Sequence, residues 1–156
     1  MEASVLKLLA EDAEGLAIIA AAVQDALVKP QDIKLDKQAR VFGLELNRFQ
    51  WETASKRPPY FRSRTVLAFS GVLGVKQQKM TRGIDDVFGL LDIGFKPAAE
   101  PPGGAITLVF ANGAQVQLDV ECIDVTLMDT GTAWPTRRKP DHGKPDPRKP
   151  DDGKPS

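Results

Sequence analysis

After Pro30 the chain never returns to a helical period, and this constrains its fold more than any other feature. From Ile33 to Asp129, apolar residues recur at a spacing of two, in short runs separated by turn-forming residues. "DIKLD", "VFGLELNRF", "SRTVLAFS", "GVLGVKQQK", "VFGLLDIGFKP", "AITLVF" and "QVQLDV" each read as a strand with one buried face. "KQAR" and "MTRGIDD" read as turns, and "ETASKRPPYFR" and "AAEPPGG" as loops. Parallel strands need crossovers of about a dozen residues, usually helical, and no helical pattern lies between these runs. The sheet is therefore predicted to be antiparallel and built mainly as a meander of hairpins. Asn112-Gly113 predicts a type I′ turn, Gly43 a bulge, and the slip at Cys122-Ile123 a second bulge in a last strand that runs on through "ECIDVTLMD".

Before Pro30 the pattern differs. "SVLKLL" predicts a short strand with Leu6 and Leu8 on one face. Asp12 is placed to cap a helix, Glu14 sits in its first turn, and Leu16, Ile19, Ala20, Val23 and Leu27 follow at helical spacing. Lys29 and Pro30 are read as its end, giving a helix over residues 12–28. The predicted class is α+β: an N-terminal amphipathic helix packed on a strongly curved antiparallel β-meander, as a partly open barrel or two packed sheets.

With 156 residues the chain is sized for one globular domain, assigned here to residues 1–138. Residues 139–156 repeat Lys-Pro-Asp every five positions and carry no aliphatic or aromatic side chain, so they are expected to be a solvated, disordered tail for solubility or tethering. "GLAIIAAAV" lacks the basic flank of a signal peptide and is too short to span a bilayer. A single cysteine, Cys122, allows no intrachain disulfide. Both point to a cytoplasmic protein without a membrane role.

Charge is segregated along the chain behind a net charge of zero. Residues 37–82 hold ten Lys and Arg against two acids, whereas residues 83–136 hold one Lys against eight acids. The ordinary explanation is that basic and acidic strands lie side by side and neutralise each other. The alternative is a polarised surface that steers a partner.

"LNRFQWE", Leu46 to Glu52, concentrates an amide, a guanidinium, two aromatics and a carboxylate at the end of a strand. Alternation puts Asn47, Phe49 and Trp51 on one side and Arg48, Gln50 and Glu52 on the other. The ordinary reading makes the aromatics core and pairs Arg48 with Glu52 or with an acid on a neighbouring strand. The functional reading makes Arg48, Trp51, Glu52 and Arg64 a pocket for a small anion or molecule, because guanidinium groups grip carboxylate and phosphate with two hydrogen bonds. "LNRFQWE" resembles a segment of an uncharacterised family of small proteins, mainly alphaproteobacterial and catalogued as a domain of unknown function. "LKLLAEDAEGLAIIAAAVQDALV", "RGID" and "VECIDVTLMDTGTAWPTRRKP" resemble that family's N-terminus, middle turn and C-terminal end, so the resemblance covers roughly residues 5–140. It implies a stand-alone domain of this size and carries no activity.

Lys56, Arg57, Tyr60, Phe61 and Arg62 interleave basic and aromatic side chains and form a candidate platform for single-stranded nucleic acid, although the sequence pI of about 6.6 is low for a dedicated binder. Cys122 has no histidine in the predicted domain, since His142 lies in the tail, and reads as a small buried hydrophobe. Carboxylates at Glu52, Glu121, Asp124 and Asp129 form no recognisable catalytic pair from spacing alone. No glycine-rich phosphate loop occurs, so no cofactor is predicted. The reading that follows is a non-enzymatic cytoplasmic domain that binds a protein partner through a sheet face or edge.

Overall fold

Strand Lys7–Ala10 (β1) and helix Ala13–Ala22 (α1) open the part of the chain described by a computed structural model, residues 5–140. Residues 1–4 and 141–156 lie outside the described residues, and with them His142 and nearly all of the predicted tail. Asp12 caps α1 as expected, its carboxylate accepting from Gly15 N at 2.7 Å. Leu16, Ile19 and Val23 turn into the core from this helix. Asp12→Ala should cost about 1 kcal/mol, the usual value of an N-cap, and a denaturant titration measures it.

The helix is shorter than its periodicity predicts. It ends at Ala22, because Asp25 takes a left-handed φ of 63° and its N–H bonds to the carbonyl of Leu90 at 2.7 Å. Leu27 leaves the helical stripe and starts the strand Leu27–Asp36 (β2). Pro30, read as a helix stop, lies inside β2 where the pairing register shifts between Val28 and Ile33, an irregularity that tolerates a missing N–H.

Eight further strands follow: Val41–Phe49 (β3), Tyr60–Phe69 (β4), Val72–Gln78 (β5), Phe88–Pro97 (β6), Gly104–Phe110 (β7), Gln115–Val120 (β8), Val125–Asp129 (β9) and Trp134–Thr136 (β10). A 3-10 turn at Trp51–Thr53 follows β3. All pairings are antiparallel. The strands form one unclosed path, β1-β9-β4-β3-β2-β6-β7-β8-β5, with β10 beside β4.

The order corrects the expected meander. β2-β3-β4 and β6-β7-β8 are meanders, but β5 pairs with β8 instead of its predecessor, and β9 inserts between β1 and β4. The slip at Cys122-Ile123 is accordingly no bulge in a continuing strand. Here the chain leaves β8 and crosses to the neighbours of β9. The β7–β8 turn also differs from a type I′ turn. Gly113 has a φ of 82° and donates to Phe110 O at 3.2 Å, while Asn112 keeps a negative φ and its side chain accepts from Ala114 N. One glycine in the left-handed region after a tight turn closes the hairpin with three loop residues in place of two.

Alternate side chains of these strands fill one core. Phe42, Leu44 and Leu46 from β3, Leu67 and Phe69 from β4, Ile106, Leu108 and Phe110 from β7, Val116, Leu118 and Val120 from β8, and Val125 and Leu127 from β9 are all buried. The same alternation leaves Gly43, Glu45, Val66, Ala68, Thr126 and Met128 on the outer face.

Candidate functional site

The inward row of β3 ends on a charge. Phe42, Leu44 and Leu46 are followed by Arg48, which is as buried as they are, with 0% relative exposure. Such a guanidinium persists only where its charge and donors are matched. Nε and Nη2 of Arg48 donate to the two carboxylate oxygens of Asp129 at 3.1 and 2.8 Å. Nη1 and Nη2 donate to the two oxygens of Glu52 at 2.7 and 2.9 Å. Asp129 also accepts from Thr65 Oγ1 at 2.7 Å and from Leu6 N at 2.9 Å, and its own N–H returns a bond to Leu6 O. Burial works against the charge of Arg48, yet the hydrogen bonds and charges of Glu52 and Asp129 hold its pKa above the ordinary arginine value.

The ordinary expectation for Arg48 is met in its pairing with Glu52, whereas its second acid, Asp129, comes from β9, one strand beyond the neighbouring β4. Four of its five N–H directions are committed to carboxylates, which leaves little with which to grip an incoming anion. The cluster ties β3, β4 and β9 to one another and to Leu6, just before β1. Gln50 and Ser63 extend it with a buried bond of 2.9 Å from Gln50 Nε2 to Ser63 Oγ.

The other members of the proposed pocket do not meet Arg48. Arg64 lies on β4 opposite Asn47 and points to the outer face. There its guanidinium donates to Asn47 Oδ1, Asp32 Oδ2 and Glu45 Oε2 at 3.0–3.1 Å. Burial again works against its charge, and Asp32 and Glu45 outweigh that effect and raise its pKa. Trp51 is half-buried, edge-on to Phe49 with ring centroids 4.6 Å apart, and its indole N–H donates to Gln24 O at 2.9 Å. Thus Arg48 and Glu52 converge, while Arg64 sits across the sheet from them.

The basic and aromatic stretch is divided as well. Tyr60, Phe61 and Arg62 were expected in a loop but belong to β4, which starts three residues earlier than its alternation suggests. Tyr60 is buried with its ring 5.7 Å from that of Phe49, and Phe61 is half-buried opposite Pro135 of β10. Arg62 lies over the Phe49 ring at 5.6 Å, and burial lowers its pKa despite the compensating charge of Asp25. Lys56 and Arg57 are on the surface: Arg57 is exposed, and the stretch from Ser55 holds to it through Ser55 Oγ on Arg57 O.

Charge segregation is met only in part by pairing between the two segments, since Arg48–Glu52 and Arg64–Glu45 join residues of the basic segment itself and Arg64–Asp32 reaches back to the N-terminal one. Arg48 meets Asp129, and Arg40 meets Glu121 at 2.6 Å, in each case a basic-segment residue on an acidic-segment partner. β5 departs from this pattern. Its Lys76 stands opposite Gln117, and the neutral Gln77 and Gln78 that follow are exposed.

Among the described residues β5 also ends the strand path, and only its β8 side is paired along the strand. Between its first half and the β2–β3 turn lies a groove of about 600 Å³, lined by Leu35, Lys37, Arg40, Val72, Leu73 and Gly74, with Val75 at its end. Leu73 is the extra residue where the β5–β8 register shifts, and it is 55% exposed. Leu35, on the opposite wall, is 37% exposed. Arg40 fixes that wall to β5: its φ is 58°, its carbonyl accepts from Val72 N at 2.9 Å, and its guanidinium holds Glu121. The sequence gives a weak sign of this groove. "VLGVKQQK" loses its alternation and turns polar, as an edge strand does, but its opposing wall lies some forty residues earlier in the chain.

Among the described residues no group of three or more His, Cys, Asp and Glu is placed to hold a metal ion. Cys122 is half-buried at the crossing from β8 to β9. Among the described residues no helix is long and apolar enough to cross a membrane. A family model described as "Protein of unknown function (DUF2948)" matches residues 6–142. No curated protein and no solved structure matches the chain significantly.

Proposed function

Starting from a chain that belongs to the family "Protein of unknown function (DUF2948)", we propose a non-enzymatic binding domain that takes an extended, acidic protein segment along β5. The observation that carries this reading is the edge of β5, open among the described residues, beside a groove walled by two exposed leucines, Leu35 and Leu73. An added strand gains main-chain hydrogen bonds from such an edge, and alternate side chains reach the apolar wall. Lys37 and Lys76 flank the position and favour acidic residues in the segment, while the paired Arg40 supports the wall. In this reading the sheet is strongly curved, a partly open barrel with β5 as one lip. The single cysteine supports a reducing, cytoplasmic setting.

Selection from a phage library of random peptides tests the proposal. The expected result is enrichment of acidic sequences with alternating apolar residues. Their binding should fall about tenfold or more in Leu73→Asp and in the double variant Lys37→Glu/Lys76→Glu. Leu73 is exposed, so the fold should stay within about 0.5 kcal/mol of the parent. No enrichment, or enriched peptides that bind these variants unchanged, would remove β5 as the binding edge.

A further inference from the structure

On the far side of the sheet, the outer faces of β1, β9, β4 and β3 form a surface with two registered rows. One row runs Leu9, Thr126, Ala68, Gly43, and continues to Lys34 on β2. The other runs Lys7, Met128, Val66, Glu45. Each row has unlike ends. The first carries a projecting leucine, 60% exposed, at the β1 end and a glycine at the β3 end. The second carries a cation at the β1 end and a carboxylate at the β3 end, with an exposed methionine and a half-buried valine between them.

Around Gly43 the surface dips into a depression of about 190 Å³, lined by Asp32, Lys34, Gly43, Leu44, Glu45 and Val66. The missing side chain at Gly43 is what opens it. A Cβ there would meet only the Leu67 carbonyl oxygen at 3.9 Å, so the fold itself does not require glycine at this place.

We propose that this face binds a second copy of the chain about a two-fold axis running along the strands between β4 and β9. That axis reverses the order of strands across the face. It lays Leu9 of each protomer over the Gly43 depression of the other, Lys7 over Glu45, Met128 over Val66, and Thr126 over Ala68. An isologous contact must complement itself, and here shape and charge do so under the same rotation. Glu45 is exposed and already shares Arg64 with Asp32, so an incoming Lys7 joins an ion-pair cluster at its rim. Four strands at the ordinary spacing span only about 15 Å, so the contact is at the small end of specific interfaces and the dimer dissociates readily. The β5 groove shares no lining residue with this depression and is not used.

Sedimentation velocity of the full chain, from low micromolar to about 100 µM, tests this. The upper end is roughly a hundredfold above a dissociation constant of 1 µM, where a dimer is fully formed. The expected result is a concentration-dependent dimer that is lost in Leu9→Glu and in Gly43→Leu, which fills the depression. Lys7→Glu should weaken the dimer by about tenfold, and adding Glu45→Lys should restore part of that loss. Circular dichroism and melting establish that each variant is folded; the substituted side chains lie on the outer face, and at least one of the two blocking variants is expected to keep the parent spectrum. A parent chain that stays monomeric to the highest concentration overturns the proposal. So does a dimer that survives in a folded Leu9→Glu or Gly43→Leu chain, because it would then use another surface.

Discussion

Replacing Arg48 with methionine should lower the free energy of unfolding by about 3–5 kcal/mol, the cost of breaking a buried charge pair from one side. The loss follows from what stays behind. The Asp129 side chain is 1% exposed and would keep Thr65 Oγ1 and Leu6 N as donors but lose its counter-charge. Glu52 is 32% exposed and can turn toward water, so Glu52→Gln should cost much less, about 1 kcal/mol. Asp129→Leu alone should again be costly, because Arg48 then keeps a single carboxylate and Leu6 N loses its acceptor. Combining Arg48→Met with Asp129→Leu should recover a large part of the stability, since a packed apolar pair of similar volume avoids both desolvation costs. Urea denaturation of the four variants gives the coupling directly. A loss for Arg48→Met below about 1 kcal/mol would show that the cluster is no brace.

Phe69→Ala is expected to cost about 3–5 kcal/mol, the range for deleting a buried aromatic ring. Phe69 is fully buried on β4 and stands opposite Phe42 of β3, with ring centroids 6.3 Å apart. Its strand also pairs with β9 at Val125, so the cavity would open where three strands meet, with little freedom to collapse. Phe61→Ala, on the same strand but half-buried, should cost visibly less. Equal losses at the two positions, measured by thermal or urea unfolding, would contradict the deeper burial of Phe69.

The strands were legible because each has one wet and one dry face, and alternation records that difference directly. Partner choice was not. Nothing local in "VTLMD" shows that it lies between β1 and β4, and the Arg48 partner Asp129 is 81 residues away in the chain. The helix end is hidden in the sequence because Val23 and Leu27 continue a helical spacing, while the left-handed turn at Asp25 is held by Leu90 O, a contact outside the local sequence. The start of β4 is hidden because Pro58-Pro59 masks Tyr60, whose ring packs near that of Phe49. Charge alone suggests a shared anion pocket for Arg48 and for Arg64 of the next strand, yet they stand one residue out of phase across the β3–β4 register, Arg48 facing Ser63 and Arg64 facing Asn47. That offset of one puts them on opposite faces.

The β5 groove was less legible still, since its walls come from the β2–β3 turn and from the start of β5. Each half is ordinary alone: two exposed leucines and a few lysines. Only the fold sets Leu35 across from Leu73.

The most direct test of the account is to titrate an acidic peptide, taken from the phage selection, into the ¹⁵N-labelled chain and follow each amide by NMR. Saturable shifts confined to Leu35–Arg40 and Val72–Gln78, with the Trp51 indole N–H unmoved, are the predicted result. Shifts centred on Trp51, Glu52 and the 56–64 segment would contradict it and return the binding site to "LNRFQWE" and its basic neighbour.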